Sequence, residues 1–244
     1  MRVNNHNIAF TSKIRFVDGE TFNKLIEGKK DNEAGRNENI NSSKTTDNEV
    51  YAMGSESCVM GGFQNGDQIF MYHLLPRLHV EGTPGAIQTK NRFSQEKDNL
   101  SRSGNTIKGF IAGGIFGFAP NSLRLFKTIR QNYGNLGIKF SYIWGKKAKT
   151  EDVGDKRDIE SLQDIVNREN IRDNLHYSVK TDTWSIWHEG DPIKTVQDLK
   201  KTYEHIFINY PTDHLFIGST EITPKEAPDL FVDKLESAGD YASK

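Results

Sequence analysis

The residues best equipped for chemistry are Cys58, the only cysteine of the chain, and His73, fifteen positions later in GSESCVMGGFQNGDQIFMYHLLP (residues 54–76). A thiol is mostly protonated at neutral pH and becomes a strong nucleophile beside a base or a cation, and a histidine can be either. The stretch between them predicts how they meet. Asn65-Gly66 is a hairpin signal, because both central residues of a type I′ turn need positive φ, and the runs 57–63 and 67–75 on either side are rich in strand formers. With Asn65 and Gly66 as a two-residue loop, Gln64 faces Asp67, Met60 faces Met71 and Cys58 faces His73. Directly opposed residues share a face, with Cβ atoms about 4.5–5.5 Å apart. A bulge at Gly61-Gly62 would slip the register by one and separate the two side chains. The competing reading is structural: a lone cysteine in an apolar strand is usually an inert small hydrophobe.

Composition narrows what surrounds such a pair. The 244 residues are enough for one large domain or two small ones, and for a substantial core. Apolar residues make up 35%, charged residues 27%, and the formal net charge is −1, a balance that argues against a general nucleic-acid surface. A single cysteine excludes intrachain disulfides and CxxC zinc sites. No long apolar run predicts a membrane span, and residues 1–16 lack the apolar core of a Sec signal, so secretion would need another route.

Hydrophobic periodicity predicts the elements that must position the pair. Residues 8–16 alternate as a strand, and ETFNKLIEG predicts a short helix ending at Gly28. Residues 29–50 and 81–108 are polar and read as mobile loops beside the candidate site. Residues 109–118 begin as a buried strand, and Asn121 is placed to cap a helix carrying Leu123, Phe126, Ile129 and Tyr133. A strand over 138–144 follows, then a helix capped by Asp158, one or two strands over 176–187, and a helix opening at Asp191-Pro192 with Ile193, Val196, Leu199 and Tyr203. Residues 214–222 predict a further strand, and Thr223-Pro224-Lys225-Glu226 a capping box that starts a terminal helix. Strands and helices mix without βαβ alternation, so the fold class is α+β, as a single domain over 1–244 with 151–244 an extension packed on the core.

The run VYAMGSESCVMGGF followed by MYHLLP resembles the active-site hairpin of CheD-type chemoreceptor glutamine deamidases, in which a Gly-Ser-Cys strand precedes a His-x-x-Leu-Pro strand. IKGFIAGGIFGFAPNSLRLFKTIRQNYGNLGIKF is similar to the block that follows in that family, so the resemblance spans about residues 50–144. The cytotoxic necrotizing factor catalytic domains and the Burkholderia lethal factor deamidase share this hairpin. The resemblance implies a β-sandwich-like core of mixed, largely antiparallel sheets flanked by helices. It also implies a protein-glutamine deamidase with Cys58 as nucleophile and His73 as base. Glu56 stands where that family has a glycine, and Ala52 where it has a histidine-orienting threonine, a role that falls to Ser55 or to another strand. The long additions point to a secreted toxin or effector acting on a host regulatory protein, such as a Rho-type GTPase or a translation-initiation helicase. The alternatives are a chemoreceptor deamidase of bacterial chemotaxis, acting in the cytoplasm, and a non-catalytic binding module.

In the deamidase chemistry the thiolate attacks the glutamine amide carbon, and the oxyanion is held by backbone N–H groups of Cys58 and of the turn from Gly54 to Ser57. His73 returns its proton to the departing ammonia, and a water activated by His73 hydrolyses the thioester. An attacking amine in place of water would make the site a transglutaminase. Gly113 and Gly114 are candidates for close approach of a substrate backbone. The chemistry requires no metal and no cofactor; its partner is the substrate protein, and a monomer is expected. His79, the His188-Glu189 pair, Trp184, Trp187 and Lys146-Lys147 read first as structural or surface residues.

Overall fold

The computed structural model describes residues 11–41, 49–102, 106–116, 120–147 and 172–237. Two six-stranded sheets organise them. The first comprises β1 (Ser12–Phe16), β3 (Glu49–Ser55), β8 (Asp173–Ser178), β9 (Thr183–His188), β11 (Asp213–Ile217) and β12 (Thr220–Ile222), in the order β12-β11-β1-β9-β8-β3. The second comprises β2 (Glu38–Asn41), β4 (Val59–Gln64), β5 (Ile69–Leu74), β6 (Lys108–Phe116), β7 (Lys139–Lys147) and β10 (Tyr203–Phe207), in the order β10-β7-β6-β4-β5-β2. β1 runs parallel to β9 and β11, and β6 parallel to β7; the other pairings are antiparallel. The class is α+β with mixed sheets.

Strand alternation sorts the side chains into layers. Met60, Ile69, Met71, Phe110 and Ile143 of the second sheet share a core with Ile14, Leu175, Tyr177 and Trp184 of the first. The opposite face of the second sheet, with Phe63, Phe70, Tyr72 and Tyr142, packs under helices α3 (Pro84–Ser101) and α4 (Pro120–Asn135) through Phe93, Leu100, Phe126 and Ile129. Helix α1 (Gly19–Ile26) lies on the first sheet, where Phe22 meets His176 and Trp187 at ring distances of 6.5 and 5.7 Å, and the one-turn helix α2 (Pro76–His79) follows β5.

Several elements differ from the sequence expectations. Residues 81–108 are not a loop: Thr83 caps α3, its hydroxyl accepting from the Ala86 N–H at 3.1 Å, with Pro84 at the first helical position. The buried stripe of α3 is Thr89, Phe93, Glu96 and Leu100, and its two polar members hide the helical period. Within 29–41, β2 pairs with β5, and Glu33 bridges to Tyr51, so the described part of this polar segment is held by its backbone. Asn121 falls inside α4 rather than capping it. The helix expected from Asp191-Pro192 begins only at Val196, where Thr195 and Asp198 form the capping box, and Tyr203 opens β10. Gly218, at φ +60°, splits the expected strand over 214–222 into β11 and β12. Glu226 does accept from Thr223, but Pro228 starts a 3-10 turn instead of a helix. The helix expected at Asp158 lies outside the described residues.

Lys146 is not a surface residue. Its ammonium is fully buried near the end of β7, donating to Asp173 Oδ2 at 3.1 Å and to the Ser55 carbonyl at 2.9 Å. Asp173 also accepts from Tyr203 Oη at 2.8 Å and pairs with His188 Nδ1 at 2.9 Å. These bonds join β7 of one sheet to β3 and β8 of the other. Removing one partner of a buried pair leaves the other charge uncompensated, at a cost of about 3–5 kcal/mol. Lys146→Met is therefore expected to lower unfolding stability by about that much in urea titrations. A loss below about 1 kcal/mol, the worth of an exposed pair, would contradict the role given to this bridge.

Candidate active site

The β4–β5 hairpin carries the pair in a register different from the expected one. Gln64 faces Ile69, Gly62 faces Met71, and Met60 faces His73. The turn centres on Gly66, at φ +95°, and Asp67, one residue later than the Asn65-Gly66 signal suggests. Asn65 explains the shift. Its Oδ1 accepts from the Asp67 and Gln68 N–H groups at 3.1 and 3.0 Å, and its Nδ2 donates to the Leu100 carbonyl of α3 at 2.6 Å. An asparagine that closes a turn with its side chain favours the position before the turn. Moving the turn by one shifts the register by two, so Cys58, just before β4, lies diagonal to His73 rather than opposite it. A shift of two keeps parity, so Cys58, one residue before the ladder, continues the face of Met60 and His73, as the Gly114 N–H bond to its carbonyl continues the β4–β6 register. Diagonal neighbours lie about 7–8 Å apart, and no hydrogen bond joins Cys58 to His73. Gly61 and Gly62 form no bulge; the ladder is regular across both.

His73 is 1% exposed. Its ring hydrogen-bonds the backbone of Ala34, while Nε2 is buried without a partner. An imidazole held through Nδ1–H by a carbonyl presents an Nε2 lone pair, the form that accepts a proton. Burial lowers the His73 pKa to about 4, helped by the Arg36 and Lys146 charges and opposed by the Ala34 bond. The ring is therefore neutral at physiological pH.

Cys58 is 2% exposed, and burial raises its thiol pKa; Arg36 and Lys146 pull it down, Glu56 pushes it up, and its own backbone N–H lowers it. The same two cations thus act on both members of the pair. The Cys58 carbonyl accepts from the Gly114 N–H at 2.8 Å and from Ser55 Oγ at 2.7 Å, which docks the turn against the end of β6. Ser55 is fully buried, and this bond commits its hydroxyl to the turn. The Ala34 backbone, not Ser55, is the group on the histidine, and a main-chain acceptor leaves no side-chain signal in a sequence.

The remaining candidates fall around this turn. Gly54, at φ +68°, donates its N–H to Asn174 Oδ1 at 2.9 Å, so that group is unavailable to an oxyanion. The Ser57 carbonyl accepts from Ser122 Oγ at 2.9 Å, and the Ser57 N–H has no hydrogen bond among the described residues. Gly113 and Gly114, at φ +93° and +73°, are required by the protein's own atoms. A Cβ on Gly113 would collide with Ser55 Oγ and lie 2.8 Å from the Cys58 carbonyl; on Gly114 it would strike Trp144 and Ser122. Their place is to let the cysteine turn approach β6.

Charged residues cover the turn. Arg36 lies 3.5 Å from Glu56 and 3.3 Å from the Gly54 carbonyl, and Arg172 reaches Glu56 at 3.1 Å. Elsewhere, His79 Nδ1 is 2.9 Å from Thr89 Oγ1, Trp184 is core, and Glu189 accepts from Asn174 at 2.9 Å. Among the described residues no group of three His, Cys, Asp or Glu is arranged to hold a metal ion. No known protein family matches the chain, and no characterised protein is detectably similar to it in sequence.

The neutral state of His73 makes stability depend on pH with a fixed sign. Its folded pKa of about 4 lies below the ordinary value of 6.5, so the unfolded chain binds more protons between them. The contribution is complete above pH 6.5 and is lost as pH falls toward 4, to the extent of roughly 3 kcal/mol. The stability of wild type relative to His73→Gln is expected to fall by that order between pH 7 and 4.5, measured by urea unfolding of both. A pH-independent difference would show that His73 is not buried as a neutral ring.

Proposed function

We propose that the protein is a cysteine hydrolase that deamidates glutamine side chains of a target protein, with Cys58 as nucleophile and His73 as general base. The observation that carries this reading is the orientation of His73: Nδ1 is occupied at Ala34, and Nε2 is buried and unpartnered on the face that Cys58 shares. An orphaned buried nitrogen costs about 1–3 kcal/mol, and its use as a proton acceptor accounts for its retention. The resemblance of the two sequence blocks to CheD-type and necrotizing-factor-type deamidases points the same way.

Nε2 takes the Cys58 proton as the sulfur–carbon bond forms, and the amide π electrons move to oxygen. The Ser57 and Cys58 N–H groups are the candidate donors for that oxyanion. Its collapse breaks the C–N bond; His73 protonates the departing ammonia, and a thioester remains. Water, losing a proton to Nε2, replaces sulfur and leaves glutamate. A thiol with a raised pKa and a neutral imidazole favour proton transfer during attack over a preformed ion pair. The target is a regulatory protein, reached by a secreted or delivered effector; a chemoreceptor is the alternative target.

Near-complete burial of Cys58 favours a second reading, a binding module that retains the fold without turnover. Ammonia release and intact-mass analysis separate the two, using purified Rho-type GTPases, chemoreceptor fragments and cell lysate. Deamidation predicts a gain of about one dalton on a glutamine peptide with wild type and none with Cys58→Ser, because only a thiolate forms the thioester. Target capture equal for both proteins, with no ammonia from either, would establish the binding module.

A further inference from the structure

A cavity of about 600 Å³ lies at the carboxyl ends of β1, β9 and β11, within the usual range for small-molecule sites. Its wall includes Arg15, whose guanidinium lies 5.8 Å from the Phe216 ring at the cavity's edge, Lys194, His188, and the apolar residues Trp187, Ile193 and Ile217. His188 is the unusual member. Its side chain is only 6% exposed, and its Nδ1 is fixed at 2.9 Å from Asp173, a carboxylate itself anchored by Lys146 and Tyr203. Nε2 is the ring's remaining polar atom beside the cavity. A carboxylate buried beneath a histidine fixes the tautomer with the proton on Nδ1, which holds the ring in place and leaves Nε2 as an acceptor. The one carboxylate in the wall, Asp18, is engaged as the cap of α1, accepting from the Thr21 N–H at 2.7 Å.

We propose that this cavity binds a small organic acid, its anionic head met by Arg15 and Lys194 beside His188 and its apolar body lying against Trp187, Ile193 and Ile217. The charge of the wall selects the sign: Arg15 and Lys194 are opposed by Asp18 alone, which leaves a positive excess. The half-buried indole and two aliphatic side chains select a compound with an apolar part over a bare inorganic ion. The site uses neither Cys58 nor His73.

The test is a titration of Cys58→Ser protein with phenyl phosphate, followed through the His188 imidazole resonances, with benzyl alcohol as the uncharged comparison. Phenyl phosphate is expected to shift those resonances saturably and benzyl alcohol to leave them unmoved. In Arg15→Ala/Lys194→Ala, both exposed positions that leave the core intact, affinity should drop about tenfold. A non-saturating response to phenyl phosphate, an equal response to benzyl alcohol, or unchanged affinity in the double variant would overturn the proposal. Because the protein tested lacks the nucleophile, the result is independent of deamidation.

Discussion

The buried pair of Lys146 and Asp173 is the constraint on which both candidate sites depend. Burying two charges costs several kcal/mol per ion unless each finds further partners, and here both do. Lys146 uses its second bond on the Ser55 carbonyl, and Asp173 its others on Tyr203 and His188. The pair thereby ties the two sheets together at one end. On one side it fixes the turn that carries Cys58 and sets a positive potential at the thiol and at His73. On the other it orients His188 in the wall of the large cavity. Nearby, Gly113 and Gly114 leave room for the turn to rest on β6, so electrostatics and close packing hold the same few residues.

Much of this architecture is legible in the sequence where a physical rule is local. The alternation in β1 and β7 and the apolar stripe of α4 lead to elements that form, and the one or two strands expected over 176–187 appear as β8 and β9. Failures occur where a distant partner overrides the local rule. Asn65-Gly66 does make a turn, but the bond from Asn65 to Leu100 of α3 moves its centre and resets the register. The stripe of α3 is half polar, and its single aromatic residue is compensated by four rings, on Phe63, Phe70, Tyr72 and Tyr133. Lys146 sits in a Lys-Lys pair that reads as surface, and only Asp173, distant in sequence, makes its burial tolerable. The Ala34 acceptor on His73 is backbone and leaves no trace in residue type.

The cysteine and histidine share a face, feel the same cations and remain out of hydrogen-bonding contact. Glu56, where the resembling deamidases carry glycine, is held between Arg36 and Arg172 and raises the thiol pKa. Burial, with Glu56, keeps the thiol protonated against the pull of Arg36 and Lys146. Under the proposed function, a thiol so placed stays protonated while a neutral imidazole remains nearby to accept its proton.

The measurement that tests this account most directly is the rate of Cys58 alkylation by iodoacetamide at pH 7, in wild type and in His73→Gln. If Nε2 of His73 serves the thiol, the variant should react at least about tenfold more slowly, a modest share of what a positioned base contributes. Equal rates in the two folded proteins would show that the histidine and cysteine share a face without sharing a proton, and would contradict the catalytic pair.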